Sequence, residues 1–236
     1  MKYSSGLAKK EREDIFKLFT ENRRLKFNEI EKYIKIRSNM VSYHIEQMQK
    51  EGLLQKKDEY YFLTKDAEKY LPILSHLVGK EMSPLPVVLV ALINKDKILL
   101  IQRKKRPYRN YWSMIGGKIL LEESIQEAAK RHIEEKTKIN ADFKSINSTL
   151  HERVLDDDLV KHSFILLFIE MTTKETAFKE SAHGKLKWVK ISDVDNEKII
   201  PSDLWLIKNK LNKKTDYNSA FMNENEEELT SFKIIK

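Results

Sequence analysis

The chain has no cysteine among its 236 residues, and it has no apolar run long enough to cross a membrane. Without cysteine there is no disulfide framework, no thiol catalysis and no zinc–thiolate site, so a reducing cytoplasm is the expected location. The longest apolar run covers residues 87–93, far short of the roughly 20 residues that a transmembrane helix needs. The polar N-terminal residues contain no apolar signal segment. We therefore expect a cytoplasmic protein with no membrane partner.

Length and charge suggest two domains, the first of them slightly basic. A chain of this size accommodates two domains of ordinary size, each with its own core. The formal net charge is +8, and the first 80 residues contribute +5 of it, with 17 Lys and Arg against 12 Asp and Glu residues. This modest basic bias is compatible with DNA contact but too small to establish it.

The first 78 residues follow the order helix, helix, helix, hairpin, helix. The apolar spacing predicts these elements, in that order, over residues 8–20, 27–34, 38–51, 53–64 and 65–77. Asn28 is the expected N-cap of the second helix, Gly52 ends the third, and Pro72 is expected to break the last. This order is the plan of a winged helix-turn-helix domain, an α+β fold.

The third helix contains the series Val41-Ser42-Tyr43-His44-Ile45, then Met48 and Gly52-Leu53-Leu54. This series is similar to the recognition helix of ArsR-type and related repressors. Val41, Ile45 and Met48 recur at helical spacing and are expected to face a small core. The resemblance implies double-stranded DNA as a partner, with this helix in the major groove.

The side chains away from that apolar stripe are short polar groups and one aromatic ring, suited to base edges and phosphates. Basic residues at the helix start and in the hairpin are placed for DNA-backbone contacts. The expected DNA-binding residues are Arg37, Ser38, Asn39, Ser42, Tyr43, Gln47, Lys56 and Lys57. His44 is expected to pack rather than to bind a metal, because no cysteine or histidine cluster accompanies it.

Two prolines and a glycine between residues 75 and 86 mark a boundary between the two halves. The expected divisions are a DNA-binding domain, a linker, a second domain and a C-terminal tail, over residues 1–78, 79–86, 87–212 and 213–236. The tail has the composition of an acidic loop followed by a short apolar element.

The most informative motif occupies residues 117–139 of the second domain. Counted from Gly117, an acid falls at Glu123, an arginine at Arg131 and one of two paired acids at Glu135, with Ile133 and Ile139 at aliphatic positions. This spacing resembles the Nudix box, G-x5-E-x7-R-E-U-x-E-E-x-G-U, where U is aliphatic. The resemblance covers about residues 86–211 and implies an α/β/α sandwich around a mixed sheet, so that the whole chain is a two-domain α/β protein.

Three positions depart from the box. His132 stands in place of the acid that follows the arginine, Lys136 replaces the second paired acid, and Lys138 replaces the closing glycine. Positions 132, 135 and 136 share one helix face, where carboxylates of an active family member would hold Mg²⁺. Here the formal charge of that face is about 0 instead of about −3. Mg²⁺ requires oxygen ligands, so we expect a degenerate Nudix box in which the catalytic signal is damaged.

These observations favour a transcriptional regulator whose degenerate Nudix domain senses a nucleotide or another phosphorylated metabolite without hydrolysing it. In this hypothesis Lys136 neutralises a pyrophosphate and no water is activated, so no catalytic residue, metal or other cofactor is expected. The expected ligand-binding residues are Arg103, Arg106, Gly116, Gly117, Lys118, His132 and Lys136. Because winged helices usually read two half-sites, a homodimer is expected as well.

Two alternatives remain open. In the first alternative, the chain is an active Mg²⁺-dependent hydrolase of a nucleoside diphosphate derivative. Its catalytic residues would then be Glu123, Arg131 and Glu135, and its metal ligands Glu123, Glu127 and Glu135. Otherwise it is a structural or docking protein in which neither domain has a ligand. Ligand choice is expected to depend on loops over residues 140–161 and 174–184, which carry no recognisable motif.

Overall fold

The computed structural model describes residues 7, 9–74, 82–180, 182–225 and 228–235. The chain divides into two compact units, Met1–Ser83 and Pro84–Lys236. Part of the expected linker, residues 79–81, lies outside the described residues, and its last two residues already belong to the first strand of the second unit. None of the helices described is long and apolar enough to cross a membrane.

The first unit is a small helical layer on a three-stranded antiparallel sheet. Its elements are α1 (Lys10–Leu18), β1 (Leu25–Lys26), α2 (Phe27–Ile34), α3 (Ser38–Lys50), β2 (Leu54–Lys57), β3 (Tyr60–Leu63), α4 (Lys65–Glu68) and a 3₁₀ turn (Leu71–Ile73). The strands pair in the order β1-β3-β2. Phe16, Ile30, Val41 and Met48 are fully buried, so the three longer helices share one core.

Two local predictions for this unit are wrong. Asn28 is not the N-cap of α2, because the helix already starts at Phe27; the Glu29 carboxylate accepts a 2.6 Å hydrogen bond from the Lys26 N–H and satisfies the helix start instead. The last helix is interrupted, as expected, but earlier than at Pro72. It ends at Glu68, and Pro72, which lacks an N–H group, lies in the 3₁₀ turn that follows. Residues 75–77 lie outside the described residues.

The second unit is built on a seven-stranded mixed sheet. Its elements are β4 (Leu85–Asn94), β5 (Lys97–Arg103), β6 (Trp112–Ser113), β7 (Ile115–Lys118), α5 (Ile125–Thr137), β8 (Asp142–Asp156), β9 (Leu159–Thr172), β10 (Gly184–Lys190), a 3₁₀ helix (Ile191–Asn196), α6 (Pro201–Lys210), β11 (Ser219–Asn225) and β12 (Glu228–Ile235). The strand order is β10-β5-β4-β9-β8, with β6 on β5 and β7 on β4. Among these strands β4 and β9 are parallel and the other pairs antiparallel.

Helices cover both faces of this sheet because β4 is apolar on both of its faces. Val88 and Val90 point to one face and pack in a core with Ile133 of α5. The alternate residue Leu89 packs on the other face with Leu206 of α6. A strand buried on both faces needs a helical layer on each. The expected α/β/α sandwich with a mixed sheet is therefore confirmed.

Three sequence-based boundaries in this unit are wrong. The first strand begins at Leu85 and not at residue 87, so the end of the expected linker is part of the sheet. Residues 140–161, expected to be loop, contain all of β8, its turn and the start of β9. Asp157 and Asp158 in the turn both have positive φ, as in a type I′ hairpin turn. The C-terminal tail contains the antiparallel β11–β12 hairpin rather than an acidic loop and one apolar element.

Candidate functional site

Helix α5 begins with a capping box that holds one of its acids. The Ser124 hydroxyl accepts a hydrogen bond from the Glu127 N–H at 3.2 Å, and the Glu127 carboxylate accepts one from the Ser124 N–H at 2.7 Å. This reciprocal pair satisfies two N–H groups at the helix start. The hydrogen bond from the Ser124 N–H lowers the pKa of Glu127. The Glu127 carboxylate is therefore part of the helix cap.

A second acid, Glu123, accepts hydrogen bonds from an arginine at both of its oxygens. Arg131 donates from Nε to Glu123 Oε2 at 2.8 Å and from Nη2 to Oε1, and Nη2 also donates to the Lys118 carbonyl at 3.1 Å. These bonds fix the loop before the helix against the helix itself. The Arg131 hydrogen bonds lower the pKa of Glu123 to about 2. Glu123 is thus ionised at neutral pH, with both oxygens occupied.

His132 lies beneath the backbone that precedes the helix. Its side chain is buried, and its Nε2 is 3.0 Å from the Lys118 carbonyl oxygen, so the neutral ring donates from Nε2. Among the described residues Nδ1 has no hydrogen-bond partner. Burial lowers the pKa of His132. The imidazole is therefore neutral at pH 7 and packs against the strand backbone instead of lining a cavity.

Lys136 occupies the position of the second paired acid of the box. Its ammonium donates a hydrogen bond to the Gly116 carbonyl oxygen, which ties α5 to β7. Burial, and then the nearby charge of Arg103, lower the pKa of Lys136 to about 8. At pH 7 the amine is still largely protonated. A cation therefore stands where the family pattern places a magnesium ligand.

The residues at this position do not fit Mg²⁺. Glu123 and Glu127 are held as described, and Glu135 is half exposed with one oxygen 3.5 Å from Arg131 Nη1. Within the part of the chain that the structure describes, no three His, Asp or Glu side chains are grouped so as to hold a metal. One carboxylate between a guanidinium and an ammonium is a poor match for an ion that prefers octahedral oxygen ligands. The alternative ligand set of Glu123, Glu127 and Glu135 is therefore not assembled.

A basic cavity opens beside Lys136. Its volume is about 270 Å³, and the residues around it are Ile101, Arg103, Lys104, Lys105, Arg106, Met114, Gly116, Lys136 and His183. No carboxylate is among these described residues. The cavity unites four of the predicted ligand-binding residues, Arg103, Arg106, Gly116 and Lys136. The sequence analysis missed Lys104, Lys105 and His183, although the two lysines belong to the same basic run as Arg103 and Arg106.

A larger and mostly apolar cavity adjoins the basic one. Its volume is about 350 Å³, and it shares Arg103, Met114 and Gly116 with the basic cavity. Two further predicted residues, Gly117 and Lys118, line it. Its other lining residues come from four strands, the loop before β6 and the start of α6: Leu85, Val87, Leu89, Pro107, Tyr108, Ser113, Glu152, His162, Phe164, Leu166, Ile200, Ser202 and Asp203. His132 lines neither cavity.

Asp203 is a buried acid in the wall of this apolar cavity. Its side chain is 2% exposed, and its Oδ2 accepts a hydrogen bond from the Met114 N–H at 2.7 Å and lies 2.8 Å from the Ser113 hydroxyl. Burial raises the pKa of Asp203 to about 6. Sequence reasoning missed this residue, because its partners are about 90 positions away along the chain.

In the first unit, the predicted DNA-binding residues occupy the outer face of α3 and strand β2. Val41, Ile45 and Met48 are buried, as is His44. Burial lowers the pKa of His44, whose ring nitrogens have no hydrogen-bond partner among the described residues. The predicted residues are exposed or half-buried: Arg37, Ser38, Asn39, Ser42, Tyr43, Gln47, Lys56 and Lys57.

The fold and the modified box together define the second unit as a Nudix domain. A model of the NUDIX domain family matches residues 83–209, more than half of the chain, and the chain belongs to the Nudix family. One curated relative is a Bacillus subtilis (strain 168) protein described as uncharacterized Nudix hydrolase YvcI. It is 28% identical over 109 residues, which cover 46% of this chain and 67% of that protein.

Solved structures of Nudix proteins are also similar to this chain. The MutT protein of Bacillus halodurans is 26% identical, with a TM-score of 0.46, over 64% of this chain and 97% of that one. The NUDIX domain of Shewanella oneidensis NrtR, in complex with ADP ribose, is 20% identical, with a TM-score of 0.47, over 62% of this chain and 96% of that one.

Proposed function

We propose that the chain is a DNA-binding transcriptional regulator whose Nudix domain binds a phosphorylated ligand without hydrolysing it. One observation carries the proposal. Five cationic side chains line a single cavity at the modified box, without a carboxylate among the described lining residues, and one of the five is Lys136 in place of a magnesium ligand.

The electrostatics of this cavity favour an anion. Arg103 and Lys136 are close enough for the guanidinium charge to lower the pKa of the amine, and burial lowers it further. An anion between the two cations replaces their repulsion by attraction, in surroundings less polar than water. Phosphate oxygens accept several charge-assisted hydrogen bonds from such groups at once. A pyrophosphate or a longer phosphate chain is therefore the ligand class we propose.

The same residues explain why binding is proposed without turnover. Hydrolysis in this family depends on a metal ion held by carboxylates of the box. Here the Glu123 carboxylate is hydrogen-bonded to Arg131, and the Glu127 carboxylate caps the helix. Lys136 places a positive charge on the helix face where the box has its metal ligands. A sensor gains from this arrangement, because hydrolysis would destroy its signal.

We propose further that the first unit is a winged helix-turn-helix domain that binds double-stranded DNA. Its three longer helices, hairpin and three-stranded sheet occur in the order that this domain requires. Helix α3 buries Val41, Ile45 and Met48 and leaves Asn39 and Tyr43 exposed, as expected for a helix that enters a major groove. In this proposal the protein acts as a cytoplasmic homodimer on two half-sites.

Ligand binding and DNA binding need only modest coupling for regulation. A coupling free energy of about 1–3 kcal/mol changes operator affinity by roughly five- to 150-fold. We propose that the phosphorylated ligand supplies this free energy by binding one state of the protein better than the other. The coupling is reciprocal, so operator DNA should change ligand affinity by the same factor.

Calorimetric titration with inorganic pyrophosphate in the presence of EDTA tests the ligand site. The wild type should bind, and Lys136→Met should bind at least tenfold more weakly. Lys130→Met is the matched control, because Lys130 is exposed on the same helix and does not line the basic cavity; its affinity should stay within twofold of the wild type. Absence of pyrophosphate binding, or equal losses in both variants, would refute the proposed site.

The second candidate function is Mg²⁺-dependent hydrolysis of a nucleoside diphosphate derivative. It is favoured by the retained acids Glu123 and Glu135, both of which contact Arg131. The test is incubation with Mg²⁺ or Mn²⁺ and a panel of nucleotide sugars and dinucleotides. Robust release of phosphate-containing products that Glu135→Gln abolishes would establish the enzyme and overturn the sensor proposal. No thermal shift with any nucleotide and no DNA footprint would instead support a purely structural protein.

A further inference from the structure

We propose that the C-terminal hairpin of β11 and β12 joins two copies of this chain, with the apolar face of each hairpin packed against the same face of the other. The two hairpins run in opposite directions across a twofold axis. The inference rests on the proposed function only for the homodimer, to which it assigns a surface. It requires neither the phosphorylated ligand nor DNA.

The hairpin is a two-stranded sheet, and neither of its strands pairs with another strand of the described chain. Two antiparallel strands alone are at best marginally stable in water, and a packed face or further strands are needed for independent stability. The chain that leads to the hairpin is attached to the domain, because the Thr215 N–H donates a 2.9 Å hydrogen bond to the Ile146 carbonyl oxygen of β8. Strand β11 begins soon afterwards, at Ser219. The hairpin therefore has an anchor but lacks a surface to pack on.

The register of the two strands gathers apolar side chains on one face. Directly opposed residues of an antiparallel pair point to the same side, and so does every second residue along a strand. Met222 is opposite Phe232, and the neighbouring pair on the same face is Ala220 with Ile234. Met222, Phe232 and Ile234 are 53%, 63% and 47% exposed. Single exposed apolar residues are ordinary, but a continuous apolar face marks an interaction surface.

The charges of the hairpin have opposite signs at its two ends, and this makes a second copy the matching partner. Glu224 and Glu228 lie at the end where β11 leads into β12. Lys233 lies towards the other end of β12, and Lys213 and Lys214 precede β11. In antiparallel orientation the acidic end of each copy lies beside the basic end of the other, and the twofold axis makes both contacts identical. Parallel orientation brings like charges together instead.

The size and charge of the hairpin also indicate how strongly it binds and what it does not bind. A standard interface has roughly 20–30 residues on each side, many more than this face provides, so we expect a dissociation constant in the micromolar range. The acidic end disfavours nucleic acid and anionic lipid as the covering surface, because both are polyanions. A self-complementary protein surface avoids that repulsion.

The experiment is sedimentation velocity of the full chain over a concentration series from micromolar to submillimolar, at low salt. The wild type should pass from monomer to dimer, and Phe232→Ser should raise the dimer dissociation constant at least tenfold. Phe221→Ser is the matched control: Phe221 is exposed in the same hairpin but lies opposite Lys233 on the other face, so the constant should stay within twofold. Thermal unfolding of Phe232→Ser should match the wild type, because Phe232 belongs to none of the described cores.

A charge exchange tests the antiparallel orientation without altering the apolar face. One variant combines Lys214→Glu with Lys233→Glu, and the other combines Glu224→Lys with Glu228→Lys. Each alone places like charges at both contacts and should dimerise at least tenfold more weakly than the wild type. An equimolar mixture restores opposite charges at both contacts and should recover the wild-type affinity. A mixture that associates more tightly than the wild type, with each variant alone equal to it, would indicate parallel packing and contradict the inference.

The remaining outcomes separate this surface from the proposed function. A wild type that stays monomeric throughout the series refutes both the hairpin interface and the proposed homodimer, and the phosphate site stands. Equal dimerisation of the wild type, Phe232→Ser and Phe221→Ser leaves the homodimer in place but assigns it to another surface. Sedimentation of a monomeric wild type with phosphatidylcholine vesicles, lost in Phe232→Ser, would assign the apolar face to lipid and overturn the inference.

Discussion

The imidazole of His132 lies directly against the α-carbon of Gly117, so that a Cβ atom on Gly117 would be 2.5 Å from His132 Cε1. Both residues belong to the box, one as its first glycine and the other in place of an acid. Their contact explains why position 117 has no side chain. It also holds the end of β7 close to α5, as the hydrogen bond from Lys136 to the Gly116 carbonyl oxygen does.

Gly117→Ala should therefore destabilise the protein by about 1–3 kcal/mol, the usual cost of overpacking. Combining it with His132→Ala should recover part of this cost, with a coupling of about 1 kcal/mol in a double-mutant cycle by urea denaturation. Gly184→Ala is the control, because its Cβ would meet the Gln102 carbonyl at 2.3 Å, which His132→Ala does not change. Strict additivity for Gly117 and His132 would contradict the contact.

The pKa of Lys136 predicts how anion binding depends on pH. Since burial and Arg103 lower this pKa to about 8, the amine loses its charge between about pH 7 and 9.5. The ratio of pyrophosphate affinities, wild type to Lys136→Met, should therefore be large at pH 7 and fall towards one at pH 9.5. Using the ratio cancels the titration of pyrophosphate itself. A ratio that stays constant over this range would show that the amine does not contact the anion.

The same shift has a consequence for stability in the absence of ligand. The pKa is lower in the folded protein than the ordinary lysine value of 10.5, so the folded state binds fewer protons than the unfolded chain between about pH 8 and 10.5. The unfavourable contribution of Lys136 is complete below pH 8 and fades as the pH rises through that window. Relative to Lys136→Met, the wild type should gain stability there.

Lys138 ends α5 in the left-handed conformation, with φ 61° and ψ 20°, at the position of the closing glycine of the box. A side chain is disfavoured in this region and glycine is not. Lys138→Gly should raise the free energy of unfolding by about 0.5–1 kcal/mol, and Lys138→Ala should not. Thermal or urea unfolding measures the difference. Equal stability of the glycine and alanine variants would mean that this conformation carries no strain.

The spacing of the sequence was most informative where local chemistry decides the structure. The box spacing assigned Ile133 to an aliphatic position, and Ile133 is buried in the core, because helical periodicity is a local property. Strand β8 was missed because most of its residues are polar or charged, a composition typical of a loop, although burial alternates along the second half of the strand. Asp203 was missed for a different reason. Its contacts with Ser113 and Met114 form only when α6 packs beside β6, and no local sequence pattern encodes that packing.

Exposed residues of α3 provide the last prediction, which concerns DNA. Tyr43 and Asn39 lie on the outer face of the helix, opposite the buried Val41 and Ile45. If α3 reads base edges, Tyr43→Ala or Asn39→Ala should weaken binding to a site obtained by in vitro selection by about 1–3 kcal/mol, the value of one good base contact. Binding to random DNA, which depends mainly on phosphate contacts, should change far less.

Tyr33→Ala is the matched control for this measurement, because Tyr33 is an exposed tyrosine on α2 and not on α3. Fluorescence anisotropy at fixed salt should give it wild-type affinity for both DNAs, since surface tyrosines away from the groove contribute little. Lys56→Ala should instead weaken both DNAs alike and reduce the salt dependence, as loss of a phosphate contact does. Equal effects of the Tyr43 and Tyr33 variants would remove α3 from the DNA interface and leave the first unit as a protein-docking module.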